Sequence, residues 1–314
     1  MSDLARLLVT GATGFLGRRV VAELHRRGYP APVCFVRPTS DAARLPQPVE
    51  LCTGDLADPA SLTRGLRGVD GLLNIASLGF GHGPGIVSAC EAIGPLRAVF
   101  VSTTAIFTRL PVSTRPVRLA AEEAIEASQL RYTILRPTMI YGGPDDRNIS
   151  RLVRLLQRFR VAPVVGPGHA LQQPVHVADV ARAVVDAFEC PSTVGRCYNI
   201  GGGTALTYNE LVATIGQVLG RRLWCVHLPL GAGLVAARLG SALGLRRAVT
   251  AEQLLRLQED KAFPCDAAHS DFGYSPQPFA AGVADMIAQF AAQRLAGAGV
   301  PGDMREAVTP GGGP

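Results

Sequence analysis

Residues 6–28, RLLVTGATGFLGRRVVAELHRRG, decide the fold. A short apolar run enters a turn that contains Gly11, Gly14 and Gly17 and leaves it as an amphipathic helix. Glycine permits a tight turn and a close approach of the backbone to a ligand. The first turn of a helix presents free N–H groups and the positive end of its dipole to an anion. The spacing GxxGxxG between a strand and a helix therefore predicts a site for the pyrophosphate of a nucleotide.

Apolar runs and helical patterns alternate through the first half of the chain. This alternation is typical of βαβ units stacked into a parallel sheet. We therefore predict an α/β protein with a Rossmann-type, doubly wound parallel sheet and a smaller C-terminal lobe that binds the substrate. The apolar runs lie at residues 6–10, 32–36, 49–52, 71–76, 97–102 and 132–136, and helical patterns such as 15–27 and 117–128 separate them.

The alternation of strand and helix patterns ends after residue 146, and this change sets the predicted domain boundaries. Two capping-box pairs, Thr207 with Glu210 and Thr250 with Gln253, predict helix starts in the second half. The expected parts are a nucleotide-binding domain at 1–147 rejoined by 172–200, a substrate lobe at 148–171 and 201–296, and a disordered tail at 297–314.

The composition indicates a globular, enzyme-sized protein, because the 314 residues are 47% hydrophobic and 18% charged, with a net charge of +6. The seven cysteines include no CxxC pair and the six histidines no HxxxH or HxH spacing, so we expect reduced thiols and no metal site. Without a secretory leader, the expected location is cytoplasmic. The apolar stretch 223–245 contains His227, Pro229 and Arg238, which argues against a membrane-spanning helix.

The end of the second predicted strand selects between the two nicotinamide dinucleotides. An acidic residue there accepts a hydrogen bond from the adenosine ribose, whereas an arginine pairs with the 2′-phosphate of NADP. The run PVCFV is followed by Arg37, and the nearest carboxylate after it is Asp41. A solvent-exposed arginine without a role is the alternative. We favour NADP(H) over NAD(H), with Arg37 as the phosphate clamp and Thr39 or Ser40 assisting.

Several segments together resemble a known family over residues 6 to about 220, the extended and atypical short-chain dehydrogenase/reductases of the NAD(P)-dependent epimerase/dehydratase group. Part of the chain equally resembles the atypical subgroup that includes a subunit of respiratory complex I. The matching segments are VTGATGFLG (9–17), GDLAD (54–58), LLNIAS (72–77), VFVSTTA (99–105), YTILRPTMIYG (132–142), QQPVHVADVARAV (172–184) and YNIGGGTALTYNELV (198–212).

The resemblance implies a set of cofactor contacts. Asp55 and Leu56 would flank the adenine, Ala76 would lie along the cofactor, and Pro137 would lie beside the nicotinamide. The C-terminal part would close over a small-molecule substrate, often a nucleotide-sugar. The other expected cofactor contacts are Gly11, Thr13, Gly14, Phe15, Leu16, Gly17, Ser102 and Arg118.

The usual catalytic pair of this family, Tyr-x-x-x-Lys on the helix after VST, is missing. In that pair the lysine holds the nicotinamide ribose and lowers the pKa of the tyrosine, which then transfers a proton as hydride moves. The helix VRLAAEEAI places Thr114 at the tyrosine position and Arg118 at the lysine position. Lys261 is the only lysine in the sequence, so no shift of register restores the pair. Arg118 can hold ribose hydroxyls but cannot transfer a proton near neutral pH.

Three other residues are candidates for the chemistry. Thr104 occupies the family's Ser/Thr position, and His82 in the loop GFGHGPG can act as an acid or a base near neutral pH. A merely exposed loop histidine is the alternative for His82. Tyr141 could reach a substrate hydroxyl, with packing as its alternative. Glu122 and Glu123 point in different directions from one helix, and we expect them on a solvated face.

The helix at 148–160 carries the strongest charge pattern. Arg151, Arg154 and Arg158 extend from Arg147 along one face, with leucines and Phe159 towards the other. This stripe could receive a nucleotide-sugar diphosphate or rest on an anionic membrane surface, and an ordinary solvated face is the alternative. The sequence contains no recognised nucleic-acid-binding motif, so we expect no nucleic-acid partner. A homodimer is a possible assembly.

Two functions remain. The first is an NADP(H)-dependent reductase, epimerase or dehydratase that acts on a nucleotide-sugar or a related carbonyl or hydroxyl compound. The second is a non-catalytic NADP(H)-binding protein for assembly or redox sensing. Thr104 and the full C-terminal lobe favour the first, and Thr114 with Arg118 favours the second.

Overall fold

The computed structural model describes residues 5–146, 148–242 and 251–298. The strands are β1 (Leu7–Thr10), β2 (Val33–Val36), β3 (Glu50–Thr53), β4 (Gly71–Asn74), β5 (Arg97–Val101), β6 (Arg131–Pro137), β7 (Ile140–Tyr141), β8 (Val161–Val165), β9 (Leu171–Gln172), β10 (Val175–His176), β11 (Arg196–Ile200), β12 (Leu206–Thr207) and β13 (Trp224–Leu228). The helices are α1 (Phe15–Arg26), α2 (Pro59–Gly65), α3 (Gly83–Glu91), α4 (Thr114–Glu126), α5 (Ile149–Arg158), α6 (Val177–Glu189), α7 (Tyr208–Val218), α8 (Leu230–Ala242), α9 (Ala251–Arg256), α10 (Asp266–Phe272) and α11 (Phe279–Ala298).

Seven parallel strands form the central sheet in the order β11-β6-β5-β4-β1-β2-β3. The chain winds outwards from β1 to β3 and then in the opposite direction from β4, which places a switch point between β1 and β4. One apolar core unites α1 and α6 with one face of the sheet, and a second unites α2, α3 and α4 with the other face. The Rossmann-type, doubly wound α/β fold is therefore confirmed.

A smaller lobe follows the carboxyl edge of the sheet. Its core joins α5, α7 and α11 through Val153, Ile215 and Met286, all fully buried. Strands β8 and β13 form a separate two-stranded parallel sheet in this lobe. The capping box of Thr207 with Glu210 is present at the start of α7.

Two of the sequence predictions fall partly or wholly on residues that the structure does not describe. Helix α11 includes residues 297 and 298, which the sequence placed in a disordered tail, and residues 299–314 of that tail lie outside the described residues. Thr250, the predicted cap of a second helix, also lies outside them. All seven cysteines are free.

A buried arginine fastens the last sheet strand to the rest. Arg97 on β5 donates to Arg131 O at 2.7 Å, to Thr133 Oγ1 at 2.9 Å and to Thr193 Oγ1 at 2.8 Å, and also to the carbonyl of Ala187 at the end of α6. Burial lowers the pKa of Arg97 to about 10. Because Thr193 lies just before β11, this one guanidinium joins β5, β6 and the chain that enters the return strand.

We expect the substitution Arg97→Met to lower the free energy of unfolding by about 2–4 kcal/mol, because it leaves several buried acceptors without their donor. Arg131→Met is the matched control: its side chain is exposed on the neighbouring strand, and the expected change is within about 0.5 kcal/mol. Denaturant unfolding of both variants gives the comparison. Equal effects of the two substitutions would contradict the bridging role of Arg97.

Candidate functional site

The three glycines of the turn are required for different structural reasons. Gly11 has φ +64°, and a Cβ there would lie 2.7 Å from Ala76 N. A Cβ on Gly17 would lie 2.1 Å from Gly11 O, inside the turn itself. At Gly14 the backbone is extended, with φ −71°, and the only close atom to a Cβ would be Gly11 O at 3.0 Å. Gly11 and Gly17 therefore serve packing, whereas Gly14 is exposed and faces no side chain.

The N-terminus of α1 is open to an anion. No side chain caps it, and no acidic residue lies in its first turn. The N–H groups of that turn have no acceptor within the helix, and the helix dipole adds about half a positive charge at this end. Arg18 lies in the same turn and donates to Thr13 O at 2.9 Å. These features fit a dinucleotide pyrophosphate, for which a side chain at position 14 would leave no room.

A cleft of about 520 Å³ adjoins this helix end. Asp145 on its wall pairs with Arg18 and, at 2.9 Å, with Arg44, so both guanidinium groups are held in place across the cleft. The neighbouring Asp146 is buried and accepts the N–H groups of Asn148 and Ser150 at the start of α5, and burial raises its pKa. The lining residues are Phe15, Arg18, Arg44, Ile140, Asp145, Asp146 and Asn148.

The residues expected around the adenosine lie at the ends of β2 and β3. Arg37 directly follows β2 and is exposed, and its side chain makes no hydrogen bond or ion pair to the described residues. Asp55 follows β3 and accepts the N–H of Ala57 at 2.9 Å, with the half-buried Leu56 between them. Among the arginines near this edge, Arg37 is thus available to a ligand phosphate, whereas Arg44 is already paired.

The nicotinamide end of the predicted site contains Thr104 and Pro137. Thr104 is buried at the end of β5, and its Oγ1 donates to Pro137 O at 3.3 Å. Ala76, the residue expected along the cofactor, is fixed beside Gly11 by a hydrogen bond from its N–H to Thr10 Oγ1 at 3.4 Å. Thr104 and Pro137 thus meet at the adjoining carboxyl ends of two neighbouring strands, β5 and β6.

A buried carboxylate at this edge was not expected. Glu122 is almost fully buried and pairs with Arg136 at 2.5 Å, and it accepts the hydroxyl of Ser102. The expectation of a solvated face is therefore wrong for Glu122, because Arg136 on β6 compensates its charge; Glu123 is exposed as expected. The Ser102 hydroxyl is consequently engaged by protein rather than open to a ligand in this structure.

Thr114 and Arg118, the residues predicted at the usual catalytic position, form a hydrogen bond with each other. Arg118 Nη1 donates to Thr114 Oγ1 at 2.6 Å along the first turn of α4. The Arg118 guanidinium lies over Gly79, where a Cβ would be 3.0 Å from its Nε. Burial, with a smaller contribution from the charge of Arg256, lowers the pKa of Arg118. A hydroxyl and a guanidinium at these positions hold partners but do not supply a proton at neutral pH.

The other two candidate catalytic residues have contrasting environments. His82 precedes α3, and its half-buried ring lies 6.5 Å from the ring of Phe80. Tyr141 is fully buried against His176, and its hydroxyl donates to Phe279 O at 3.3 Å. Burial raises the pKa of Tyr141 and lowers that of His176 to about 4. Tyr141 therefore packs α11 onto the sheet edge, and we leave it out of the chemistry.

A segment of the smaller lobe that the sequence did not indicate crosses the same edge. Glu259 accepts the hydroxyl of Thr108 at 2.6 Å and the N–H of Arg109 at 2.9 Å, just after Thr104 in the chain. Phe263 stacks on Phe107 with ring centroids 5.4 Å apart. Between these contacts is the single lysine, Lys261, and burial lowers its pKa to about 8. The Lys261 ammonium donates to the Arg256 carbonyl, so it is held within this segment.

The basic helix differs from its expected pattern. Arg154 lies over the ring of Phe290 at 4.8 Å and Arg158 over the ring of Phe159 at 5.4 Å. The sequence predicted that the leucines of α5 and the following Phe159 lie on the face opposite the arginines. Leu155 and Phe159 are instead exposed to solvent. Arg147 lies outside the described residues.

Metal-binding clusters and membrane-spanning helices are both absent from the described residues. No group of three or more histidine, cysteine, aspartate or glutamate side chains in residues 5–146, 148–242 and 251–298 could hold a metal ion. In the same ranges no helix has the length and apolar character needed to cross a bilayer.

The doubly wound sheet, its glycine turn and the open helix end at the switch point together define a dinucleotide-binding Rossmann protein. A family of NAD(P)H-binding domains matches residues 11–191. The chain belongs to this family, within the extended and atypical short-chain dehydrogenase/reductases, and a nicotinamide dinucleotide is the cofactor that the family and this turn share.

Three curated relatives illustrate the range of the family. A ceramide reductase of Caulobacter vibrioides is 30% identical over 70% of this chain and 73% of its own. A 2-alkyl-3-oxoalkanoate reductase of Stenotrophomonas maltophilia is 26% identical over 87% and 95%, respectively. The mitochondrial NADH dehydrogenase [ubiquinone] 1 alpha subcomplex subunit 9 of Arabidopsis thaliana is 27% identical over 84% and 70%.

Solved structures are similar over nearly the whole chain. The crystal structure of gox2253 superposes with a TM-score of 0.73 at 25% identity, covering 93% of this chain and 99% of that one. UDP-glucose 4-epimerase of Thermotoga maritima superposes with a TM-score of 0.72 at 17% identity, covering 92% and 99%. The second likeness concerns the fold alone.

We expect Gly14→Val to abolish dinucleotide binding while the protein still folds, because the new side chain projects into the pyrophosphate site from an unstrained backbone. Gly17→Ala is the contrasting variant, since its Cβ collides with Gly11 O and Ala12 inside the turn. Calorimetric titration with NADPH and a thermal melt separate the two: the first variant should melt within about 5 °C of the unmodified protein, and the second should melt far lower. Undiminished affinity in folded Gly14→Val protein would contradict the assignment of the turn.

Proposed function

We propose that this protein is an NADP(H)-dependent reductase of a small carbonyl compound, or the corresponding dehydrogenase in reverse. The observation that carries the proposal is the position of the Thr104 hydroxyl at the carboxyl ends of β5 and β6, on the same sheet edge as the open N-terminus of α1. The hydrogen bond of this hydroxyl to Pro137 O is long, at 3.3 Å, and on giving it up the hydroxyl would donate to a substrate oxygen beside the nicotinamide.

The names of the relatives favour reduction over sugar isomerisation. Two of the relatives described above are reductases, one of ceramide and one of a 2-alkyl-3-oxoalkanoate, and a third is a reductase of a furanyl methyl phosphate from Streptomyces griseus. The nucleotide-sugar enzymes are similar in fold only. A carbonyl carried on an acyl chain or a small acid is therefore our first substrate class, and a nucleotide-sugar is the alternative.

The bound nicotinamide would supply or accept the hydride. The chain's own residues have the remaining tasks: the α1 N-terminus binds the pyrophosphate, Arg37 binds the 2′-phosphate, and Arg118 holds the nicotinamide ribose. Thr104 orients the substrate oxygen. His82, on the loop after β4, passes a proton between water and that oxygen, which Thr114 and Arg118 cannot do.

We expect NADPH to bind more tightly than NADH, roughly tenfold to a hundredfold, because a charge-assisted phosphate contact contributes on the order of 1.5–3 kcal/mol. Arg37→Ala should remove this preference by weakening NADPH alone. Arg44→Ala is the matched control, since Arg44 already pairs with Asp145 and should leave the ratio unchanged. Calorimetric titration with both dinucleotides measures the ratio; equal affinities in the unmodified protein would make Arg37 a surface residue without this role.

We expect turnover to depend on Thr104 and His82 but not on Thr114. Thr104→Val should lower kcat roughly tenfold or more, whereas Thr104→Ser retains the hydroxyl and most of the rate. His82→Gln should lower kcat by about 100-fold or more if it is the general acid. Thr114→Val removes a hydroxyl that only accepts from Arg118, so kcat should change by no more than a few-fold.

The rates are measured with NADPH against a panel of oxo acids, long-chain ketones and nucleotide-sugars. An inactive Thr114→Val variant beside an active His82→Gln variant would show that the alignment of α4 is wrong. Turnover of nucleotide-sugars alone would make nucleotide-sugars the substrate class in place of acyl-chain or small-acid carbonyls, and the cofactor assignment would stay the same.

The second candidate function is a non-catalytic NADP(H)-binding protein. One observation supports it: Arg118 donates to Thr114, and the resemblance predicts the family's proton-transferring residues at these two positions. The relatives include a complex I subunit and a photosystem II assembly factor. Tight NADPH binding without turnover of any compound in the panel, unaffected by the Thr104 and His82 substitutions, would favour this function.

A further inference from the structure

The smaller lobe exposes an apolar sheet face that no described element covers. Strands β8 and β13 are paired in register, with Val161 beside Trp224 and Pro163 beside Val226. Side chains alternate along a strand, so every second residue shares a face. The solvent-exposed positions on this face include no polar side chain. The apolar face consists of Phe159 (51% exposed), Val161 (45%), Pro163 (exposed), Trp224 (55%), Val226 (46%) and Leu228 (40%).

Phe159 extends this face beyond the strand. Its backbone is extended, with φ −120° and ψ 146°, and it precedes Val161 by two residues, so both side chains project from the same side. A row of exposed valine, leucine, phenylalanine and tryptophan side chains is costly in water and marks an interaction surface.

Arginines border the apolar face. The guanidinium of Arg222 lies 4.4 Å from the centroid of the Trp224 ring, and that of Arg158 lies 5.4 Å from the Phe159 ring. Arg160, between Phe159 and Val161, is exposed. An aromatic ring with a guanidinium stacked on it combines an apolar body with a cationic edge, as residues at a membrane interface do.

Charge is segregated over the same part of the chain. Residues 147–178 and 211–251, which contain α5, β8, β13 and α8, include ten arginines and not one aspartate, glutamate or lysine. The whole chain has a net charge of +6, so the remainder has a net charge of −4. The apolar face thus lies on segments that have no acidic side chain, whereas residues 1–146 have a net charge of +2, residues 179–210 of −2 and residues 252–314 of −4.

We propose that the apolar face and its arginine border dock on the surface of an anionic phospholipid bilayer. The apolar side chains would enter the boundary between headgroups and acyl chains, while the arginines pair with lipid phosphates. A second copy of the chain fits less well, because a symmetric contact would bring two such arginine-rich surfaces together. This partner is independent of the reaction proposed for the cofactor cleft.

The chain contains its own reporter for this surface, because Trp224 is its only tryptophan. We expect vesicles of phosphatidylcholine with phosphatidylglycerol to shift the Trp224 emission to shorter wavelength, and lipids brominated on the acyl chains to quench it. Vesicles of phosphatidylcholine alone should cause little shift. Raising the salt concentration should weaken the binding, because the attraction of arginines to anionic lipids is screened.

The triple variant Arg158→Gln, Arg160→Gln and Arg222→Gln should lose about 100-fold in vesicle affinity, about fivefold for each arginine. The matched control is Arg64→Gln, Arg67→Gln and Arg131→Gln, which removes the same charge from exposed positions of the nucleotide-binding part and should bind vesicles nearly as well. Unchanged NADPH binding shows that both variants fold. In the unmodified protein, the salt titration tests the same attraction without any substitution.

Four outcomes would overturn the proposal. The first is no emission shift with anionic vesicles at low salt, and the second is equal binding to neutral vesicles. The third is an equal loss in both triple variants, which would indicate an effect of net charge alone. The fourth is an emission shift without vesicles. A shift that follows protein concentration would assign the apolar face to a second copy of the chain, and a shift on addition of duplex DNA would assign it to nucleic acid.

Discussion

The contact on which the site depends is the close approach of the Gly11 backbone to Ala76, across the switch point of the sheet. Thr10 and Asn74, both fully buried, make this approach possible: Thr10 Oγ1 donates to Asn74 Oδ1 at 2.7 Å, and Asn74 Nδ2 donates to Ala76 O at 3.1 Å. Two neighbouring strands therefore end in register, and α1 begins where the crevice opens. A side chain at Gly11 would push the two loops apart and close the anion site with them.

At the carboxyl edge of the sheet, Thr114 and Arg118 stand at the positions that the sequence predicts for the catalytic pair. Helix α4 places them one turn apart, and the Arg118 guanidinium donates to the Thr114 hydroxyl. Two cations lie in the neighbouring segments, Arg118 on α4 and Lys261, whose ammonium donates to the Arg256 carbonyl. Beneath them, the Glu122–Arg136 pair neutralises a buried carboxylate, and buried pairs of this kind are retained when removal of one partner would leave an uncompensated charge.

The sequence predicted the sheet and the glycine turn because both depend on local patterns. Strand positions followed from short apolar runs, and the turn between β1 and α1 followed from its three glycines. The burial of Glu122 could not be predicted, since its partner Arg136 is on another element, and helix spacing alone predicts a solvated face. The exposure of Phe159 was missed for a related reason: the helix ends at Arg158, and the change to extended backbone turns the next side chain outwards.

The division of charge between the two parts of the molecule bears on how the cofactor binds. Residues 1–146, which contain the glycine turn, have 15 arginines and 13 carboxylates and therefore a net charge of only +2, so long-range attraction contributes little to the binding of an anionic dinucleotide. In the proposed complex with NADP(H), the affinity would come from short-range groups, namely the N–H groups of the first turn of α1 and the side chain of Arg37. Such contacts are strong because they are directional and partly desolvated, and salt screens them less than it screens a diffuse surface charge. The smaller lobe is the opposite case: the exposed Arg158, Arg160 and Arg222 border its apolar face, which suits an extended anionic surface better than a single small anion.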